Sequence, residues 1–225
     1  MKVFVVKMVR RGWSRVNNGH PAGAGSQRNE GIHACDGHVH LKVTDRTPLP
    51  WRTMLAKLHD VREWGRTLSS ARARNAMAVW SSYRRARSTG EPVIGGLPIS
   101  ISMEPTTACN LRCPECPSGL RAFTRPTGNL KQELFHRVID ELGETLWSLT
   151  FYFQGEPFIN PAFLDMVAHA SGRGIYTITS TNAHFLDDER AERTVRSGLS
   201  RLIISIDGTD QETYSAYRKE GELAK

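Results

Sequence analysis

Three cysteines stand close together near the middle of the chain, in the segment Cys109-Asn-Leu-Arg-Cys113-Pro-Glu-Cys116. Thiolates bind zinc and iron, and three of them this close can surround one metal centre. A structural zinc site or an electron-transfer [4Fe–4S] cluster would require a fourth ligand, yet no cysteine follows in residues 117–225. The fourth cysteine, Cys35, lies far upstream in a segment of low apolar content. Three ligands and an open position predict a cluster in which one iron binds another molecule.

The cysteine segment follows a predicted strand and opens a run of alternating strands and helices. Apolar alternation and apolar runs predict four strands, at residues 99–104, 149–153, 175–180 and 202–206. The helices between them are marked by an apolar stripe ending at Gly143, by the cap pair Asn160–Pro161 with an end at Gly172, and by Asp187-Asp188-Glu189 with an end by Gly198. This order predicts a parallel α/β sheet, the first part of a barrel, with the cysteines at the carboxyl end of its first strand.

The cysteine spacing and its surroundings resemble a known family. Cys109-x3-Cys113-x2-Cys116 after a first strand is similar to the signature of the radical S-adenosylmethionine (radical SAM) superfamily. The stretch from Ile101 to Cys113, with Met103-Glu104-Pro105-Thr106-Thr107-Ala108 inside it, resembles the branch that carries a C-terminal SPASM domain. The resemblance implies a partial (βα)6 barrel, of which residues 98–225 would cover the first four strands. We therefore expect this sequence to hold only the first half of the catalytic barrel and to turn over little on its own.

The resemblance also implies a chemistry and its cofactors. The three cysteines would bind three irons of a [4Fe–4S] cluster, and the fourth iron would chelate the amino and carboxylate groups of S-adenosylmethionine. An electron passed through the cluster, from a donor such as flavodoxin or ferredoxin, cleaves a C–S bond. The resulting 5′-deoxyadenosyl radical abstracts hydrogen from the substrate, and a barrel interior protects such a radical from solvent. A peptide or protein substrate is expected by analogy within the family.

Three further segments resemble cofactor-binding parts of the family, each after its own strand. Gln154-Gly155-Glu156-Pro157 corresponds to a Gly-Gly-Glu-Pro turn that faces the methionine amino group, and glycine there permits close backbone approach. Ser180-Thr181-Asn182 resembles a polar loop that faces the cofactor, and Ser205-Ile206-Asp207-Gly208 resembles the segment that reaches the ribose and carboxylate. Alternation places Ser205 and Asp207 on one face of their strand. Ser-x-Asp-Gly is also an ordinary strand-to-turn sequence. The prediction of a cofactor site therefore depends on the cysteine loop and these three segments occurring in the family's order after four successive strands.

Two positions depart from the family pattern. Gln154 replaces the first glycine of the Gly-Gly-Glu-Pro turn, which leaves the backbone geometry at that position open. Glu115 stands where the family often has an aromatic residue near the adenine, so stacking from that position is not predicted. Arg121, Phe123 and Arg125 follow the cluster loop and could meet an acidic substrate, although solvated loop residues are the more common explanation.

The charge of the 225-residue chain is divided unevenly. Residues 1–97 hold 17 Lys and Arg against 6 Asp and Glu, a net +11, whereas residues 98–225 hold 13 against 17, a net −4. The total of +7 by itself would suggest a nucleic-acid-binding protein. In that alternative, residues 1–97 would bind nucleic acid with an affinity that falls steeply as the salt concentration rises. Because the half with the cysteines is mildly acidic, we expect no nucleic-acid partner.

The low cysteine content and the lack of an apolar segment of about 20 residues predict a cytoplasmic protein without a membrane span.

The first 97 residues divide into two predicted segments. Residues 1–50 lack sustained periodicity and are expected to be a disordered basic tail, with Met54 as a candidate alternative start. Residues 51–97 have helical apolar spacing and predict one or two amphipathic helices that end at Ser88-Thr89-Gly90. Their arginines are expected in solvent, with membrane or partner binding as the alternative. His33, Cys35, His38 and His40 form a metal-like cluster in the tail, but accidental clustering is the favoured explanation.

The prediction that follows is a radical SAM enzyme, with Cys109, Cys113 and Cys116 as cluster ligands. Residues expected to contact the bound S-adenosylmethionine are Gly155, Glu156, Pro157, Ser180, Asn182, Ser205 and Asp207. The alternative is a non-catalytic iron–sulfur, zinc-binding or electron-transfer module, which would bind metal without affinity for S-adenosylmethionine.

Overall fold

The computed structural model describes residues 2–6 and 61–224, and within them the strands form one sheet. Its order is β1-β5-β4-β3-β2. The strands are β1 (Lys2–Val6), β2 (Ser100–Ser102), β3 (Ser148–Thr150), β4 (Tyr176–Thr181) and β5 (Arg201–Ile206). The four strands from β2 to β5 pair in parallel, which confirms the predicted α/β fold with four parallel strands.

The strand β1 departs from the sequence prediction, which placed no strand before residue 98. β1 pairs antiparallel with β5, from Lys2 opposite Ile206 to Val6 opposite Leu202. The segment Lys-Val-Phe-Val-Val consists mostly of residues that favour strands, a signal too short to stand out in the basic tail. The rest of the predicted tail, with the His33–His40 cluster, lies outside the described residues, as do residues 51–60 of the predicted helical segment, with Met54.

The helices between the strands lie close to where the sequence predicts them. They are α1 (Ser70–Thr89), α2 (Pro117–Leu120), α3 (Gln132–Leu142), α4 (Phe163–Gly172), α5 (Asp188–Arg196) and α6 (Gln211–Tyr217), and residues 61–66 are also helical. α3 ends at Gly143 as expected, and the Asp187 side chain caps α5 by accepting a hydrogen bond from Arg190 N at 2.8 Å. α2 and α6 were not predicted. Both are short, and they border the site described below.

The expected capping side chain at Asn160 is present, although the regular helix begins later than Pro161. Asn160 Oδ1 accepts a hydrogen bond from Ala162 N at 3.0 Å, and α4 begins at Phe163 with Ala162 as its N-cap residue. Asn160 is also buried, and its Nδ2 donates to the carbonyl oxygens of Pro105 at 2.7 Å and Leu130 at 3.2 Å. A buried amide with several partners connects distant segments, and here it joins the turn after β3 to the two ends of the cysteine-bearing loop.

The apolar core lies between the sheet and the helices α3 and α4. Burial of aromatic rings dominates its stabilisation, because each ring removes a large apolar area from water. Phe151 lies 5.6 Å from both Phe135 of α3 and Phe163 of α4, measured between ring centroids. Residues that complete this core include Ile139, Leu146, Leu149, Met166, Val167, Leu202 and Ile204. The core holds the strands at fixed spacing, so that the loops at their carboxyl ends face one another.

The helix α1 is attached to the opposite, amino end of the sheet. It ends at Gly90, whose φ of 74° permits a left-handed cap, as the sequence predicts. Arg72 corrects the expectation that the arginines of this segment lie in solvent. It is 5% exposed, and its guanidinium donates to four backbone carbonyl oxygens, those of Thr67, Gly143, Arg173 and Gly174. In the described part of the chain, no helix is both long enough and apolar enough to cross a bilayer.

Candidate cluster and cofactor site

The three cysteine thiols line one cavity of about 200 Å³ at the carboxyl end of the sheet. They lie on the loop that follows β2, with Cys113 buried and Cys109 and Cys116 partly buried. The loop is compact because Cys116 N donates to the Cys113 carbonyl at 3.3 Å and Leu120 N donates to the Cys116 carbonyl at 2.9 Å. Gly119 is required there, since a Cβ atom would lie 2.4 Å from the Cys113 carbonyl oxygen.

The same cavity collects polar residues from the ends of the other three parallel strands. The sheet topology explains this, because parallel strands present their carboxyl ends at one edge. The sequence-predicted residues that line the cavity are Cys109, Cys113, Cys116, Gly155, Glu156, Ser180, Asn182, Ser205 and Asp207. Pro157 does not line it, since it is buried at the start of a short 3₁₀ helix, Pro157–Ile159.

Gly155 is needed for a reason that differs from the expected one. Its φ is 80°, and a Cβ atom there would lie 2.1 Å from the Thr106 carbonyl oxygen and 2.9 Å from that of Ala108. The backbone of the turn after β3 therefore packs directly on the loop that carries the cysteines, and Glu156 N donates to the Ala108 carbonyl at 2.8 Å. In this structure the close approach is to the protein's own backbone, which fixes the cluster loop against the turn.

Glu156 is a buried carboxylate that organises the loop after β4. It is 2% exposed, and its oxygens accept hydrogen bonds from Thr181 Oγ1 at 2.7 Å and from Asn182 N at 2.8 Å. Burial raises the pKa of Glu156 above its ordinary value, although these hydrogen bonds act in the opposite direction. Thr181, which the sequence analysis did not select, thus belongs to the site.

The polar residues at the ends of β4 and β5 contact each other and the cysteine loop. Ser180 Oγ lies 3.0 Å from Ser205 Oγ, so the two hydroxyls share a hydrogen bond across the parallel strands. Asn182 Nδ2 donates to Asn110 Oδ1 at 2.8 Å and lies 4.0 Å from Cys109 Sγ. The predicted polar loop therefore reaches the residue beside the first cysteine.

Asp207 forms a largely buried ion pair that the sequence did not reveal. Arg218, just after α6, donates from Nε to Asp207 Oδ2 at 2.5 Å, and its Nη1 lies 3.7 Å from Cys113 Sγ. Burial by itself would lower the pKa of Arg218, but the charges and hydrogen bonds of Asp207 and Cys113 together hold that pKa above its ordinary value. The contact could not be predicted from apolar periodicity, because α6 is short and polar. The one sequence feature that indicates α6 is its capping residue Asp210, which accepts a hydrogen bond from Thr213 N at 2.8 Å.

The departure at Gln154 is accommodated by a contact with the third cysteine. Gln154 Oε1 accepts hydrogen bonds from Cys116 Sγ at 3.4 Å and from Ser118 Oγ at 3.1 Å. Ser118 Oγ in turn accepts from Gly155 N at 2.9 Å. The side chain that replaces the family glycine therefore lies at the edge of the site and links the turn after β3 to α2.

The surroundings of two of the thiols raise their pKa values. Burial raises the pKa of Cys109 to about 11, and the nearby Glu156 carboxylate acts in the same direction. Burial also raises the pKa of Cys113, although the charge of Arg218 opposes it. A metal centre binds thiolates, so loading this site must release protons, and loading is favoured by higher pH.

Arg125 and Phe123 follow the cluster loop, and Arg125 contacts both Phe123 and Glu104. Arg125 Nη2 lies 2.6 Å from Glu104 Oε2, and its guanidinium lies 4.9 Å from the Phe123 ring centroid. The Arg125 charge is thus already paired. Tyr152, Phe153 and Tyr217 also line the cavity, although the sequence did not predict them as site residues.

Within residues 61–224, no three His, Cys, Asp or Glu side chains lie close enough together to share a single metal ion.

Known proteins match the part of the chain that builds this site. An AdoMet-dependent heme synthase from Methanosarcina barkeri is 30% identical over 121 residues, which cover 54% of this chain and 34% of the relative. A PqqA peptide cyclase from Bradyrhizobium diazoefficiens is 30% identical over 148 residues, which cover 63% of this chain and 38% of the relative. The chain spans little more than a third of the length of these curated relatives.

A solved structure and a family model complete the comparison. Streptococcus suis SuiB bound to S-adenosylmethionine matches with a TM-score of 0.46 and 16% identity, over 61% of this chain and 31% of that chain. The model of the radical SAM superfamily matches residues 103–224, more than half of the chain. The match confirms the family predicted from the cysteine spacing and disfavours the alternative of a non-catalytic iron–sulfur, zinc-binding or electron-transfer module. The chain belongs to the radical SAM superfamily.

Proposed function

We propose that this chain is a radical SAM enzyme whose [4Fe–4S] cluster is held by Cys109, Cys113 and Cys116. The observation that carries the proposal is that three thiols and the polar ends of four parallel strands share one cavity. Family membership adds the expectation of a cluster and of S-adenosylmethionine as cofactors. When bound, the reduced cluster and S-adenosylmethionine supply a 5′-deoxyadenosyl radical that abstracts hydrogen from the substrate.

The residues of the site fit these cofactors chemically. Three cysteines without a fourth leave one iron position open, which suits a ligand with an amino and a carboxylate group. The Glu156 carboxyl group lies in the same cavity, where its oxygens are acceptors for the N–H groups of the iron-bound amine. Gly155 and Pro157 hold the turn that carries Glu156, and Ser180 and Asn182 add polar groups from the end of β4.

Ser205 and Asp207 are proposed for the ribose side of the cofactor. Both lie on β5 or directly after it and line the cavity, in agreement with their alternation along the strand. The Ser205 hydroxyl is oriented by Ser180, and one oxygen of Asp207 is already occupied by Arg218. Hydroxyl and carboxylate groups are the acceptors that sugar hydroxyls require.

A peptide or protein is the proposed substrate class. One of the two relatives is named as a peptide cyclase, whereas the other is named as a heme synthase. The choice of a peptide therefore rests on analogy with the first relative. An external one-electron donor such as flavodoxin or ferredoxin is proposed to reduce the cluster, and the cytoplasm is the proposed location of the reaction.

Anaerobic reconstitution with iron and sulfide tests the proposal. The full chain is expected to load one cluster, to show broad visible absorption that bleaches on reduction, and to bind S-adenosylmethionine in a calorimetric titration. Cys113→Ala is expected to lose the cluster, whereas Cys35→Ala, a matched control, is expected to keep it. Full cluster loading by Cys113→Ala would contradict the ligand assignment. A loaded cluster without affinity for S-adenosylmethionine would indicate an electron-transfer module instead.

A further inference from the structure

The ion pair between Arg218 and Asp207 lies directly beside the cysteine loop. Both side chains are largely buried, with exposed fractions of 16% for Arg218 and 9% for Asp207. The guanidinium has a fork of donors, and it uses Nε for Asp207 and Nη1 for Cys113 Sγ, at 2.5 Å and 3.7 Å. One positive charge therefore contacts a proposed cluster ligand and its own counter-ion at the same time.

The backbone fixes this arginine in place. Arg218 N donates to the Tyr214 carbonyl at 2.8 Å at the end of α6, and Arg112 N donates to the Lys219 carbonyl at 3.0 Å. The segment after α6 is thus joined to the residue that precedes Cys113. Gly208 lets α6 pack against the end of β5, because a Cβ atom there would lie 2.3 Å from Tyr214 N. Arg218 is accordingly part of the wall of the site.

We propose that the Arg218–Asp207 pair tunes the reduction potential of the cluster held by the three cysteines. The inference rests on the proposed function, since it requires the cluster to be present. Reduction adds one electron, supplied by an external reductant, and so adds one negative charge to the cluster. A positive charge and a hydrogen-bond donor beside a ligand sulfur stabilise the reduced form, whereas the Asp207 carboxylate stabilises the oxidised form.

The two members of the pair therefore act in opposite directions. Removing Arg218 leaves the buried Asp207 carboxylate uncompensated near the cluster and lowers the reduction potential. Removing the Asp207 charge leaves the guanidinium uncompensated and raises the potential. Arg218 is a positioning residue in this account, because it acts through the Cys113 ligand.

A redox titration of the reconstituted full chain tests the proposal. Reduction is followed by electron paramagnetic resonance, without S-adenosylmethionine, in the wild type, Arg218→Gln, Asp207→Asn and the double variant. Arg196→Gln is the matched control, since Arg196 forms an exposed pair with Glu192 on α5. We expect a negative shift for Arg218→Gln, a positive shift for Asp207→Asn, an intermediate potential for the double variant and no shift for Arg196→Gln.

Several outcomes would overturn the proposal. Equal potentials in the wild type and Arg218→Gln would do so, as would shifts of the same sign in both single variants. If the wild type loads a cluster and both single variants lose it, the pair is required for assembly and the tuning role is rejected. A wild-type chain that loads no cluster contradicts the proposed function itself, so the two failures are distinguishable.

Discussion

Two arginines, Arg72 buried and Arg218 largely buried, lie at opposite ends of the same sheet, and their surroundings differ. At the amino end, Arg72 donates to four neutral backbone carbonyls, and its buried Nε has no hydrogen-bond partner among the described residues. At the carboxyl end, Arg218 pairs with the Asp207 carboxylate and contacts a thiol. Burial lowers the pKa of Arg72 below its ordinary value, whereas for Arg218 the charges and hydrogen bonds of Asp207 and Cys113 together outweigh burial and raise the pKa.

The two ends of the sheet therefore have different roles. The amino end stabilises the fold, and the carboxyl end carries the candidate site. Arg72 satisfies carbonyl oxygens where α3 and α4 end, and it thereby attaches α1 to the core. Arg218 stands in a cavity with three thiols and two carboxylates, where its charge changes the properties of its neighbours. Substitutions at the amino end should therefore alter stability alone, and those at the carboxyl end should alter the chemistry of the site.

The largest expected effect on stability is at the amino end. Arg72→Met removes four hydrogen bonds to carbonyl oxygens, which at about 1 kcal/mol each lowers the free energy of unfolding by about 4 kcal/mol. Chemical denaturation measures this loss, with the exposed Arg74→Met on the same helix as the control. A stability equal to that of the control would show that α1 is not attached through Arg72.

A smaller loss of stability is expected at the carboxyl end from Gly155→Ala. The positive φ and the approach of a Cβ atom to 2.1 Å from the Thr106 carbonyl predict a loss of about 3 kcal/mol and reduced cluster loading. Gly128→Ala is the control, because a Cβ atom there meets nothing within 4 Å. Denaturation and iron content are both measured. Unchanged iron content in Gly155→Ala would show that the geometry of the turn after β3 is not required for cluster loading.

The sequence predicted the elements better than the contacts between them. The cysteine spacing and the apolar strands are local patterns, so the sequence alone predicts a site at the carboxyl end of the sheet. Arg72 and Arg218 escaped prediction because their partners are distant in sequence, as Gly174 is from Arg72 and Cys113 is from Arg218. The requirement for Gly155 was predicted, but its cause was not, since the opposing Thr106 backbone is known only from the fold.

The smallest expected effect is a pH dependence confined to the carboxyl end. Because burial raises the pKa of Glu156 from an ordinary value of 4.5, the folded chain binds more protons than the unfolded chain above that pH. The free energy of unfolding of the metal-free chain should therefore fall as the pH rises from 4.5 through the raised pKa of the folded state. Glu156→Gln should flatten this slope relative to the wild type, and the exposed Glu141→Gln on α3 should retain it. An identical slope in Glu156→Gln would assign the pH dependence to other groups.

The most direct measurement of the central claim is the electron paramagnetic resonance spectrum of the reduced, reconstituted chain with and without S-adenosylmethionine. If three cysteines leave one iron open to the cofactor, its addition changes the g-values of the cluster signal. Cys113→Ala gives no such signal in either condition. A wild-type spectrum that is unchanged by saturating S-adenosylmethionine would contradict the account.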